Sequence, residues 1–297
     1  EPAVHPRLSG SGSIFKELRD NGPLLVMHPY HSFDQSVTRL LREAARGPDV
    51  LASKTTVYRT SADSPILQLL VDAVSKGKQV AVVVELQARF DEAANIHWAN
   101  QLEEAGIHVS YGVVGYKTHA KAVLILRKET SGALTRYMHI GTGNYNPVTA
   151  KQYVDIGLMI SDPATGKDGT ELFNLLTSGS LSKRRYRELL VSPLGMKSGL
   201  LARIRREIRH HEQSGGGHIQ LKTNALEDAD ITRALYEASR AGVIVDLVVR
   251  DTCRLRPGIP GLSETATVIS ILGRFLEHAR LFYFRNGGDE EYLIGSA

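Results

Sequence analysis

The chain has 297 residues, room for about two domains with real cores. Apolar residues make up 42% of it, charged residues 23%, and the formal charge is +4. This excludes a mainly disordered chain and a tail-like polycation, but leaves room for a local anion site. The single cysteine, Cys253, excludes an internal disulfide framework and a cysteine-built zinc site, and fits a reducing, cytoplasmic setting. No apolar run approaches the roughly 18 residues of a membrane helix. Glu1 to Arg7 carries no charged-then-apolar leader, and the absence of a starting Met leads us to expect a fragment.

In chain order, His28 and His31 in HPYHSF offer two imidazoles, for which a capped turn is the expected use. TTVYR reads as a strand ending on Arg59. Ser64-Pro65 pairs an N-cap residue with a proline at the first helical position, and predicts a helix from Pro65 to about Ser75, stopped near Gly77. Val80 to Leu86 is a nearly continuous β-branched run, expected to be a strand buried on both faces, with Arg89 just beyond it. Asp91 is expected to cap a helix over about Glu92 to Ala105 that stops at Gly106, and Ile107 to Tyr111 is the next strand. Helices alternating with apolar strands predict an α/β layered fold.

KTHAKAVLIL (117–126) reads as a strand, which places His119 and Lys121 on one face. An imidazole beside a fixed cation suits phosphoryl chemistry, because the ring is a nucleophile near neutral pH and the cation stabilises the transferred charge. Gly141-Thr142-Gly143-Asn144 then runs into Asn146-Pro147, read as an N-cap and a first helical residue. A glycine-rich loop at a helix N-terminus offers N–H groups to an anion. LSKRRYR (181–187), followed by the strand-like ELLVSP, places a domain boundary near 185–195. Lys197 to His211 carries Lys197, Arg203, Arg205, Arg206, Arg209, His210 and His211 on an expected helix. A solvated face is the expected reading and a polyanion track the alternative. VDLVVR ends on Arg250. Arg59, Arg89 and Arg250 all fall at the carboxyl ends of expected strands, the usual ligand edge of an open α/β sheet, and a guanidinium fork matches phosphate oxygens. No Walker A loop, aspartate-rich run or His-x-x-x-His pattern is present.

The chain also resembles itself. LLVDAVSKGKQVAVVV (69–84) matches ALYEASRAGVIVDLVV (234–249), aligning Leu70 with Leu235, Ala73 with Ala238, Gly77 with Gly242 and Val80 with Val245. His119-Ala120-Lys121 then meets His278-Ala279-Arg280. Two copies of one α/β unit are expected, and packed face to face they would set two histidines and two cations around one anion. Gly295-Ser296 stands where the second glycine loop would begin.

HPYHSF (28–33), YRTSADSPI (58–66), ELQARFDEAANIHWA (85–99), KTHAK (117–121), HIGTGNYN (139–146) and GRFLEHARLFYFRNGGD (273–289) resemble the histidine-phosphorylating polyphosphate kinases over nearly the whole chain. The resemblance implies two tandem phospholipase-D-like α/β domains, each a mixed sheet flanked by helices: a lead-in over 1–20, a first domain over 21–188 and a truncated second over 189–297. It implies ATP and inorganic polyphosphate as substrates, with Mg2+ and reversible transfer. His119 matches the phosphorylated histidine and His278 the second essential one. Lys121 and Arg280 are expected beside them on the phosphoryl oxygens. Tyr153, Arg250 and His278 match nucleotide-phosphate contacts, with Gly141, Thr142 and Asn144 as further phosphate donors. Arg59 and Arg89 match positions near magnesium, and as cations they are expected on the phosphates that carry the metal. The resemblance further implies a cytoplasmic protein, with peripheral membrane association allowed, homo-oligomeric at full length and without nucleic acid as a partner. Asp251 and Thr267 depart from the family pattern, where Gly and Arg are expected, and the family extends upstream and past Ala297. Whether the stretch alone is active is therefore open.

Two other readings compete. A phospholipase-D-type phosphodiesterase or nuclease needs an acidic residue seven positions after its histidine, where this chain has Leu126 and Arg285. A non-catalytic polyanion binder would act through the basic helix, with steeply salt-dependent affinity.

Overall fold

The computed structural model describes residues 1–58, 64–85, 99–181 and 184–297. They form two compact units, Glu1–Leu189 and Leu190–Ala297. In chain order the first unit contains α1 (Ile14–Asn21), β1 (Leu24–His28), α2 (Arg39–Arg46), β2 (Val50–Tyr58), α3 (Pro65–Ser75), β3 (Gln79–Glu85), β4 (His108–Ser110), β5 (Ala122–Lys128), β6 (Leu134–Gly141), β7 (Tyr153–Ile160) and α4 (Pro163–Thr177). Its strands lie in the order β1-β7-β6-β5-β2-β3-β4. β2, β3 and β4 are parallel, and the pairs from β2 through β5, β6 and β7 to β1 are antiparallel.

Apolar side chains gather in two clusters. One joins Ile14, Phe15 and Leu18 of α1 and Leu40 of α2 to Val123, Ile125, Tyr137 and Met159 of the sheet. The lead-in segment thus contributes to this core. The other joins Leu67, Leu70 and Ala73 of α3 to Val80, Val82 and Val84. Val83, between two members of that cluster, is equally buried. A strand covered on both faces needs such a continuous apolar run.

Helix α3 begins and ends where its punctuation predicts. Ser64 is extended and Pro65 occupies the first turn, although the serine side chain makes no capping bond. Gly77 takes φ +79°. This lets Lys78 N–H reach the Ala73 carbonyl at 3.1 Å and Gly77 N–H reach that of Val74 at 2.8 Å, closing a Schellman motif. Gly242 ends the matching helix of the second unit in the same way, with Val243 N–H on Ala238 and Gly242 N–H on Ser239, both at 3.0 Å.

The second unit contains α5 (Met196–Ser214), β8 (His218–Thr223), α6 (Ala229–Arg240), β9 (Ile244–Val249), β10 (Ala266–Ile269), β11 (Arg280–Phe284) and β12 (Glu291–Gly295). Strand order is β10-β9-β8-β11-β12. The parallel trio β8, β9, β10 and the antiparallel pairs β8–β11 and β11–β12 reproduce β2, β3, β4, β2–β5 and β5–β6 of the first unit. The duplication read from the helix–glycine–strand match is therefore a duplication of topology. Three of its four aligned pairs are core, Leu70 and Leu235, Ala73 and Ala238, Val80 and Val245, and the fourth is the pair of helix-ending glycines.

Two local expectations are corrected. ELLVSP is not a strand but an irregular segment. It is entered through a clamp, since the buried Asp168 carboxylate of α4 accepts the backbone N–H groups of Arg187, Glu188 and Leu189 at 2.8, 2.7 and 3.0 Å. Asp168→Ala should cost about 3 kcal/mol in urea unfolding, because three N–H groups lose one buried ionic acceptor together. A loss within experimental error would show that these N–H groups find water instead. The helix over 197–211 is present, with Arg205 and Arg209 exposed on it as a solvated face requires. Lys197 pairs with Asp228 and Asp230 at 2.9 and 2.6 Å, and Arg203 and Arg206 converge on Glu291. The second correction concerns the strand assigned to KTHAKAVLIL.

Candidate active site

That strand begins only at Ala122, so His119 and Lys121 precede β5 rather than sharing one of its faces. The ladder stops because Ala122 N–H is taken by the Thr56 hydroxyl, 3.1 Å away, instead of a strand carbonyl. Lys121 still accepts Gly141 N–H on its own carbonyl at 2.9 Å. The segment therefore lies extended beside the carboxyl ends of β2 and β3, the edge where an open α/β sheet exposes ligand-binding groups. His119 is half-buried there. Lys121 is buried to 3% exposure, and its ammonium donates to the His119 carbonyl at 2.6 Å and to Glu85 Oε2 at 3.1 Å. Glu85 ends β3, and its other oxygen lies 3.7 Å from Lys117 Nζ. The expected cation beside His119 is present, and it is held from below by a carboxylate that the sequence reading did not single out.

The glycine loop lies next to this segment through the Lys121–Gly141 bond. It does not enter a helix. Asn146 Oδ1 accepts Val148 N–H at 2.8 Å and Thr149 N–H at 3.3 Å, but only the 3-10 turn Thr149–Lys151 follows. Thr142 is fully buried, with its N–H on the Ile156 carbonyl at 2.9 Å and its hydroxyl on Asp155 Oδ1 at 2.6 Å. Both donors thus serve the fold, while Gly143 and Asn144 are half-buried. A Cβ on Gly143 would lie 2.2 Å from Asp155 Oδ2. Gly143→Ala must displace Asp155, break its bond to Thr142 and cost about 2 kcal/mol in thermal unfolding. A wild-type melting temperature would mean that the loop swings away freely.

Beneath the loop, His139 is buried, with Nδ1 2.8 Å from the Tyr145 hydroxyl. Burial, with a smaller contribution from nearby His28, pushes its pKa down to about 3, so the ring is neutral at physiological pH. Burial also lowers the pKa of His28. His28 Nδ1 lies 2.9 Å from the His31 carbonyl, and His31 Nδ1 accepts Met27 N–H at 3.0 Å. This pair closes a turn, as expected.

In the second unit His278 again precedes a strand, β11. Arg280 Nη1 donates to the His278 carbonyl at 2.8 Å and contacts His278 Nε2 at 3.1 Å. A guanidinium can only donate, so Nε2 accepts and carries the lone pair. The side chain two residues on thus clasps the histidine carbonyl in both units. Arg250, just past β9, donates to the Glu277 carbonyl at 3.2 Å. Tyr153 opens β7 and is half-buried. Arg59 and Arg89 lie outside the described residues. Among the described residues no three carboxylate, imidazole or thiol groups gather to hold a metal ion. Nor is any described helix long and apolar enough to cross a membrane.

The two units therefore define a duplicated α/β protein with a His-x-basic segment at the ligand edge of each sheet. Residues 13–182 match the family description "Polyphosphate kinase C-terminal domain 1" and residues 189–297 match "Polyphosphate kinase C-terminal domain 2". The chain belongs to the polyphosphate kinase family. It is 54% identical to a polyphosphate kinase of Thermosynechococcus vestitus, over 97% of this chain and 39% of that protein. It is 52% identical to one of Mycobacterium ulcerans, over 100% of this chain and 40% of that protein. It thus spans well under half the length of these relatives. The crystal structure of polyphosphate kinase from Porphyromonas gingivalis superposes with a TM-score of 0.90 at 37% identity, over 100% of this chain and 49% of that one. A phosphatidylserine synthase structure from Haemophilus influenzae shares the fold alone, at 9% identity and a TM-score of 0.52, over 76% of this chain and 61% of that one.

Proposed function

We propose that this chain carries the phosphoryl-transfer residues of an ATP:polyphosphate phosphotransferase. A ring nitrogen of His119 forms a bond to the γ-phosphorus of ATP while the bond from that phosphorus to its bridging oxygen breaks and ADP leaves. A terminal oxygen of polyphosphate then attacks the same phosphorus, the N–P bond breaks, and the chain is one phosphate longer. The phosphoramidate keeps much of the transfer potential, which makes the reaction reversible. The observation that carries this reading is His119 at the sheet's ligand edge, its carbonyl clasped by the buried Lys121 ammonium. That bond fixes a positive charge against the backbone of the acceptor residue, and a fixed cation favours the charge that develops on the phosphoryl group.

The remaining assignments rest on the family likeness. Arg59, Arg89, Arg250 and Arg280 bind phosphate oxygens, with Tyr153 and the half-buried Gly143–Asn144 stretch completing the nucleotide contacts. Gly141 positions the loop, its N–H being spent on Lys121. His278 protonates the leaving group or positions the phosphoryl. Magnesium enters as the counter-ion of the triphosphate. The full-length protein is a cytoplasmic homo-oligomer. The diesterase reading gains no support: Leu126 is a β5 residue paired with Ala52, and Arg285 donates to the Gly216 carbonyl.

The test is incubation of the full-length protein with magnesium and ATP labelled in the γ-phosphate. Protein-bound label should be acid-labile and base-stable. Release of a head group or nucleotide from a diester, with no bound label, would replace the kinase by the diesterase.

A further inference from the structure

The phosphoryl-transfer reading leaves Glu85 without a role. We propose that Glu85 is a positioning residue for the histidine acceptor: its carboxylate locks the Lys121 ammonium, and Lys121 in turn locks the backbone of His119. This inference rests on the reading of His119 as the phosphoryl acceptor.

The geometry runs as a chain of two contacts. Glu85 Oε2 lies 3.1 Å from Lys121 Nζ, and Lys121 Nζ lies 2.6 Å from the His119 carbonyl. The side chains are 5% and 2% exposed. An ammonium so deeply buried is tolerated only beside a compensating charge, and breaking such a pair leaves the other charge stranded. Without Glu85 the ammonium loses a buried counter-charge, and its bond to the His119 carbonyl is no longer held in place. A displacement of about 1 Å at the acceptor is enough to cost on the order of a hundredfold in rate.

The repeat gives an independent observation. The alignment that sets Val80 on Val245 sets Glu85 on Arg250. Both end the central parallel strand of their sheet, and both reach toward the His-x-basic segment. In the second unit that place is held by a cation, whose Nη1 donates to the Glu277 carbonyl. Arg280 clasps the His278 carbonyl much as Lys121 clasps that of His119. A carboxylate is thus not a requirement of the fold at this strand end. It occurs in the unit whose histidine takes the phosphoryl group. There it contacts the lysine directly, so its effect on the histidine passes through Lys121.

The experiment is single-turnover formation of acid-labile phosphoenzyme over a range of ATP concentrations, in full-length wild type, Glu85→Gln and Glu85→Asp, each with its melting temperature. Glu85→Gln should slow the saturating rate at least tenfold, with the half-saturating ATP concentration within about twofold of wild type. Glu85→Asp keeps the charge but withdraws it by one methylene, and should fall between the two while melting near wild type. A purely structural residue would change the fraction folded and not this split. Wild-type rates in Glu85→Gln, or rate and ATP affinity falling together, overturn the proposal. Should Glu85→Gln fail to fold, a wild-type rate in Glu85→Asp overturns it. Absence of label in the wild type sinks the functional reading itself, and this inference with it.

Discussion

His119→Ala should give a folded protein that takes up no acid-labile phosphate from ATP and makes no polyphosphate. The loss is expected to be at least a thousandfold, because a covalent route has no substitute once its nucleophile is gone. Stability should barely change. The ring is half-buried at the sheet edge and belongs to none of the three apolar clusters. The checks are phosphoenzyme labelling and circular dichroism on the same preparation. Global unfolding of the variant would make His119 a structural residue. Surviving label would move the acceptor elsewhere, and the other His-x-basic segment, at His278, would be tested next.

The second large effect is acid sensitivity of the first unit through His139. Its folded pKa of about 3 lies below the value near 6.5 expected for the unfolded chain. Between those values the unfolded state binds the proton and the folded state does not, so stability falls as the pH drops below about 6.5. Above that pH the contribution is flat. At pH 4.5 His139 alone should have removed about 2–3 kcal/mol, at 1.36 kcal/mol per pH unit. His28, lowered for the same reason, adds in the same direction. Carboxylates also titrate in this range, so the decisive quantity is a difference. Urea unfolding at pH 7.5 and pH 4.5 should show His139→Gln losing about 2–3 kcal/mol less than wild type between the two. Equal losses would mean that the ring charges freely and is not sealed beneath the loop.

His139 also shows how sequence and structure divide the evidence. It stands inside HIGTGNYN, yet nothing local distinguishes it from an exposed histidine on a strand. Its burial is set by Tyr145 and by Gly157, against which the ring packs so closely that an added Cβ would lie 2.2 Å from Nε2. A glycine facing a histidine across two antiparallel strands becomes legible only after β6 and β7 are paired in register.

Elements set by neighbouring residues were determined by the sequence alone. Ser64-Pro65 and Gly77 bound α3, and Gly106 and Gly242 end helices at positive φ. The β-branched run of β3 dictates a strand covered on both sides. The two-copy organisation was also written there, since helix, glycine and strand recur at fixed offsets, and so was the family, carried by long contiguous motifs. These are short-range effects of φ preference, side-chain branching and periodicity, and they need no partner from elsewhere in the chain. Tertiary structure alone decided what each polar group does. Periodicity carried KTHAKAVLIL into a strand, but the Thr56 hydroxyl ends the ladder at Ala122. Thr142 looked like a phosphate donor, but Asp155, thirteen residues on, takes its hydroxyl. Lys121 read as a fixed cation beside His119, but what fixes it, Glu85, lies 36 residues earlier. Charges and hydrogen bonds are satisfied by whichever group the fold brings within about 3 Å, and sequence spacing sets no limit on where that group comes from.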